Sequence, residues 1–196
     1  MSGPQPPHNL ADRIPDYTYL KTGFKLHRFY SAAFEPVHFD RSLMGRLNAP
    51  DQSYGVLYTA ATREGAFAET FLREPGRSLI DLELLRKKAH VVLNLTAPLK
   101  LARLAGRGLA RLGATAEILH SGLPYDTAQI WSKALHDHPV KIDGIAYYAR
   151  HDDEQLCYAL FDHSAAHISV SETHTELDTD WFWQIANHYN LGIAPY

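Results

Sequence analysis

Apolar and polar positions along this chain change period several times, and each change marks an element. Over residues 55–60, in YGVLYTA, the alternation puts Val56, Tyr58 and Ala60 on one face of a strand. The pattern then turns helical through TREGAFAETFL, with Thr62 as the capping residue and Pro75 expected to stop the helix after Arg73 and Glu74. Upstream, alternation over residues 24–30 places Phe24, Leu26, Arg28 and Tyr30 on a single strand face. Downstream, residues 91–95 predict a strand, whereas 99–112 mix leucine spacing with Gly106 and Gly108 and fit neither period cleanly. Residues 124–136 predict a helix with Asp126 at the N-cap, Gln129 at capping-box spacing and Ile130, Trp131, Ala134 and Leu135 on its apolar side. Residues 142–149 and 156–161 predict two strands joined as a hairpin through RHDDEQ. A helix over 178–189, with Trp181, Ile185 and His188 on one side, follows near the end.

Strands thus mix with helices without a regular strand–helix repeat, which predicts an α+β fold. Its 196 residues suffice for one compact domain over 17–196, preceded by a proline-rich arm over 1–16 that is expected to be flexible. The start, MSGPQPPHNL, lacks the apolar stretch of a secretory signal, and no run approaches membrane-spanning length, so a cytoplasmic protein is expected. Lys100, Arg103, Arg107 and Arg111 suggest a solvated or partner-facing surface more than a membrane helix, because glycines interrupt them.

Composition removes several chemistries. Nineteen Lys and Arg against twenty-two Asp and Glu give a formal charge of −3, which argues against direct nucleic-acid binding. Cys157, alone in the chain and set in LCYALF, reads as a core thiol. Twelve histidines lack HExxH or zinc-finger spacing, so no metal is expected. There is no GxSxG, no Walker loop and no GxGxxG after a strand.

Four residues remain. Tyr58 and Glu69 sit on a strand and a helix that meet at a corner, a place for chemistry or for ordinary packing. Arg28, on an apolar face, needs an anionic partner or a phosphate unless its stem packs and its head reaches water. Arg46 follows Gly45, where the backbone can approach closely, and can clamp an oxyanion. Two guanidiniums suit a pyrophosphate, an aromatic ring suits a flat base, and a carboxylate suits an electron-poor sugar carbon. Together they fit a dinucleotide whose glycosidic bond is broken.

The motifs HRFY with Arg28, GRLNAP with Arg46, GVLYTA with Tyr58, AFAETF with Glu69 and DGIAYYARHDDEQLCYALFD at 143–162 occur in the order seen in RES-domain proteins, which the chain resembles. That resemblance implies the toxin half of a bacterial toxin–antitoxin pair. It further implies a mixed, strongly bent β core like that of ADP-ribosyltransferases, flanked by helices. The implied activity is NAD cleavage at the nicotinamide–ribose bond, with inorganic phosphate or water as acceptor. Transfer of ADP-ribose to a protein is the alternative, as is a catalytically weak member kept for binding its antitoxin. NAD is then substrate rather than a tightly held cofactor. The implied partner is an antitoxin with a helix-turn-helix part, in a larger hetero-oligomer. In this picture Glu69, Arg28 and Tyr58 are catalytic, Arg28 and Arg46 hold the pyrophosphate, and Tyr30, Arg150 and His151 line the pocket. The family pattern Gly-Ile-x-Tyr-x-Ser-Arg reads GIAYYAR here, so Ala149 replaces the serine and leaves its task to water or to a neighbour such as Tyr147 or Tyr148.

Overall fold

The computed structural model describes residues 3–194 except 75, 77 and 121. The expected stop at Pro75 therefore lies outside the described residues. In chain order the elements are β1 (Tyr17–Leu20), β2 (Lys25–Ser31), β3 (Val56–Ala60), α1 (Arg63–Phe71), β4 (Leu79–Ile80), α2 (Leu82–Arg86), β5 (Lys88–Leu95) and β6 (Leu99–Arg103). They continue with α3 (Arg107–Leu112), α4 (Glu117–His120), α5 (Asp126–His136), β7 (Gly144–Ala149), β8 (Asp152–Phe161), β9 (Ile168–His174), α6 (Asp180–His188) and β10 (Gly192–Ile193).

Eight strands form one sheet in the order β1-β6-β7-β8-β3-β2-β5-β9, and β4 pairs with β10 apart from it. The large sheet is mixed, β6 and β7 running parallel and the other ladders antiparallel. The α+β class stands, but the strong bend does not: the sheet is open, with β1 and β9 as its edges, and is not strongly curled. Sharp curvature needs repeated bulges or glycine kinks. Register irregularities appear only between Val92 and Leu93 and between Tyr148 and Ala149 among the described residues.

Both faces are apolar, which is why residues 91–95 of β5 and 156–161 of β8 read as nearly continuous hydrophobic runs rather than as alternation. One face buries Phe29, Val56, Ala60, Ile145 and Cys157 against Phe67 and Phe71 of α1, Trp131 and Leu135 of α5, and Phe182 of α6. Burial pushes the Cys157 thiol well above its ordinary pKa, as a core thiol requires. The other face buries Leu26, Leu57, Val91, Leu93, Tyr158 and Leu160, with Phe24, Val37 and Phe39 packed beside them.

The ambiguous 99–112 segment resolves into two elements. Strand β6 ends, Gly106 turns at φ 53°, α3 follows, and Gly113 closes it in the left-handed region at φ 78°. Helix α5 forms where predicted, but without the capping box. Asp126 is the first helical residue, Tyr125 occupies the N-cap with no side-chain bond, and Gln129 donates instead to the carbonyls of Leu43 and Gly45. Tertiary demand from the adjacent loop outcompetes the local cap. Ile130, expected on the apolar side, is exposed, while Ala128 and Ser132 are buried. In α6 the buried side is Phe182, Ile185 and Ala186. Residues near the start lie against this body: Trp131 Nε1 donates to Pro4 O at 2.6 Å, and the buried His138 Nε2 bonds the carbonyls of Leu10 and Arg13.

Thr62 caps α1 as expected, its hydroxyl accepting from Gly65 N at 2.9 Å and donating to Gln155 Oε1 of β8 at 2.6 Å. Thr62→Ala is expected to cost about 1 kcal/mol of stability, read from urea unfolding midpoints at constant slope.

Candidate active site

Strand β2 pairs with β5 over seven positions and β3 pairs with β8 over five, yet β2 and β3 share the single position His27↔Ala60. Beyond it the two strands part. Backbone groups along the seam need other partners, and the Arg28 Nη1 donates to the Tyr58 carbonyl at 3.1 Å. A cavity of about 350 Å³ opens at this seam, bounded by β2, β3, the loop 40–47, α1, Tyr125, Tyr147 and the β7–β8 turn.

The loop carrying Arg46 is built around Asn48, which is fully buried. Its Nδ2 donates to Asp40 Oδ2 at 2.9 Å and to Ser42 O at 2.7 Å, and its Oδ1 accepts from the Tyr58 hydroxyl at 2.8 Å. A Cβ at position 45 would collide with the Asn48 carboxamide, so glycine is required there. Helix α5 clamps the same loop, since Ser132 Oγ donates to Leu47 O at 2.6 Å and Gln129 reaches Leu43 and Gly45. Burial raises the Asp40 carboxyl, but hydrogen bonds from Ser42 and Asn48 outweigh it and hold the group below its ordinary pKa.

Of the residues singled out in the sequence, Arg28, Arg46, Tyr58, Glu69, Arg150 and His151 line this one cavity. Tyr30 and Ala149 do not. Tyr30 is buried with Leu26 on the second face of the sheet, and Ala149 is fully enclosed in the first.

Arg28 has no carboxylate within salt-bridge reach among the described residues, and burial draws its guanidinium down to about 10. Its Nε is buried with no partner, and so is the Nε of Arg46, whose guanidinium sits 5.2 Å from the Tyr125 ring centre. Two buried, unpaired guanidinium donors at one cavity fit an anionic ligand.

Tyr58 commits its hydroxyl to the loop. Its hydroxyl accepts from Leu47 N at 2.8 Å as well as donating to Asn48, and burial raises it far above the ordinary phenol range. What it offers the cavity is its ring. Glu69 is also not a simple partner of Arg73, whose Nε donates to the Glu69 backbone carbonyl. The Glu69 carboxylate accepts from the Tyr147 hydroxyl at 3.3 Å and from Arg150 N at 3.2 Å. His151 is held below its ordinary pKa by burial and by the neighbouring Arg150.

Sequence reasoning missed Asn48, Tyr125 and His27 as parts of the site. The asparagine in GRLNAP is the one signal the sequence offers, and residue type alone does not mark it as buried. Among the described residues no group of three or more His, Cys, Asp or Glu is placed to hold a metal, and no helix is long and apolar enough to cross a membrane.

A model of the RES domain matches residues 13–180. A chain in the crystal structure of the M. tuberculosis MbcT–MbcA toxin–antitoxin complex is similar in fold, with a TM-score of 0.66 over 92% of this chain and 98% of that chain at 13% identity. No curated protein matches the chain.

Tyr58→Phe leaves Leu47 N and Asn48 Oδ1 without their partner. The variant is expected to lose about 1–3 kcal/mol of stability. Amide exchange at Leu47 should accelerate selectively, measured by hydrogen exchange against the rest of β3.

Proposed function

Because the chain belongs to the RES-domain family, we propose that it is a toxin that degrades NAD by cleaving its nicotinamide–ribose bond. The observation that carries this reading is the Glu69 carboxylate lining the same cavity as Arg28 and Arg46, each of which has a buried Nε donor without a partner. A carboxylate and two such donors in one cavity suit a ligand with an anionic pyrophosphate and a positive centre that develops on the sugar.

NAD enters with its pyrophosphate between Arg28 and Arg46, whose free Nε–H groups donate to phosphate oxygens. The Tyr58 ring lies beside the nicotinamide. The glycosidic C–N bond breaks and its electron pair leaves with the nicotinamide nitrogen, so no proton donor is required. The ribose becomes oxocarbenium-like, and Glu69 stabilises that charge while accepting a hydrogen bond from a ribose hydroxyl. Inorganic phosphate or water then forms the new C–O bond at the anomeric carbon. Phosphate gives ADP-ribose phosphate; water gives ADP-ribose and releases a proton. Arg150 and His151 line the side from which an acceptor would approach.

The chain acts with a cognate antitoxin carrying a helix-turn-helix part, in a larger hetero-oligomer. The fold neighbour was solved within a toxin–antitoxin complex, which supports a protein partner here. Met44, 74% exposed although it lines the cavity, supports docking over the mouth.

Incubation with NAD and chromatography of the products tests the activity and its acceptor. ADP-ribose phosphate that appears only with added phosphate marks phosphorolysis, free ADP-ribose marks hydrolysis, and label retained on protein marks transfer. Glu69→Ala is expected to lower turnover by at least about a hundredfold in a folded protein, since it removes charge stabilisation made mainly in the transition state. Arg28→Lys keeps the charge but loses the planar fork, so it is expected to weaken NAD binding by roughly tenfold in calorimetric titration. Unchanged kinetics in Glu69→Ala would end the assignment.

A further inference from the structure

We propose that Tyr147 is the positioning residue of the Glu69 carboxylate, its buried hydroxyl fixing one carboxylate oxygen while the Arg150 backbone fixes the other. The kinetic consequence rests on the NAD-degrading reading; the electrostatic consequence does not.

Tyr147 is 2% exposed and lines the cavity. A phenol hydroxyl is costly to bury without a hydrogen bond. Among the described residues its one polar partner is Glu69 Oε2, at 3.3 Å. The second oxygen, Oε1, accepts from Arg150 N at 3.2 Å. Both donors belong to β7 and the turn that follows it, so a single rigid stretch holds the carboxylate at two points. Both bonds are long and have room to tighten as charge develops. Ala149, on the same face, offers no polar atom. Tyr148 points elsewhere, and its hydroxyl accepts from Arg103 Nη2 at 2.9 Å.

Burial pushes the Tyr147 hydroxyl well above the ordinary phenol range, and the Glu69 charge pushes it further. It therefore stays protonated, a donor at every working pH. The other titratable and charged groups facing Glu69 are Cys157 on β8, His120 at the end of α4, and His151 with Arg150 at the turn; Arg73 binds its backbone carbonyl instead. Cys157 is neutral, burial lowers both histidines, and Arg150 already donates its backbone N–H to the other carboxylate oxygen.

The test is the Glu69 carboxylate itself, followed by NMR in protein labelled at the glutamate side-chain carbon. Tyr147→Phe is expected to move the Glu69 carboxylate resonance more than that of any other glutamate, because one hydrogen-bond donor to it is lost. Tyr148→Phe is expected to leave it in place. With NAD, Tyr147→Phe should lower kcat by roughly tenfold and keep KM within about twofold. An unmoved Glu69 resonance in folded Tyr147→Phe would overturn the proposal. If the resonance shifts while the unmodified protein leaves NAD intact, positioning stands and the NAD reading falls. If the loss of the hydroxyl unfolds the chain, the converse measurement decides. In Glu69→Gln the ring-carbon resonance of Tyr147 beside its hydroxyl is expected to shift more than that of any tyrosine outside the cavity, and an unmoved resonance would overturn the proposal equally.

Discussion

Strands β2 and β3 are neighbours in the sheet, yet one ladder position joins them before they part. Everything at the site depends on that seam. Each strand is secured on its other side, β2 by β5 and β3 by β8, so the separation does not unravel the sheet. The exposed backbone at the gap must still be satisfied, and Arg28 does this by reaching across to the Tyr58 carbonyl. That single bond has two effects. It bridges the seam, and it holds a guanidinium inside the protein with one edge still free.

Around the seam, positioning is done by rigid elements rather than by loops alone. The Thr62 cap fixes the start of α1 against β8, and Glu69 projects from the same helix. The loop that carries Arg46 has no regular structure, but it is bound from β3 through Tyr58, from α5 through Gln129 and Ser132, and internally through Asn48. A loop bound at three sides behaves as part of the scaffold. The buried Asn48 side chain at its centre is paired on both its Nδ2 and its Oδ1, which leaves the Arg46 Nε as the loop's buried donor without a partner.

Much of this was legible because local patterns and tertiary demands agreed. Strand alternation placed Arg28 with Leu26 and Tyr30, and Thr62 announced the helix that bears Glu69. The failures have physical causes. Gln129 had capping-box spacing, but two loop carbonyls needed its amide more than the helix end did. The Tyr58 hydroxyl is consumed in holding the loop, which nothing in GVLYTA announces, while its ring, the part expected to meet a flat base, lines the cavity. Tyr30 shares a strand face with Arg28, but alternation fixes direction and not depth, and it lies under the second face, outside the cavity. The strong bend expected from the family resemblance is absent because curvature depends on bulges and edge geometry that no short motif encodes. Strand β9 went unpredicted: its ISVSETH alternates too weakly, being largely exposed at the sheet edge.

If one ligand spans the seam from the two arginines to Glu69, a crystal structure of the Glu69→Gln protein with NAD will show it, because that variant removes the charge that drives cleavage while keeping the shape of the side chain. Pyrophosphate oxygens are expected within hydrogen-bond distance of Arg28 Nε and Arg46 Nε, with the anomeric carbon facing residue 69 and the nicotinamide beside Tyr58. NAD bound elsewhere on the protein, or bound here with its pyrophosphate away from both arginines, would contradict it.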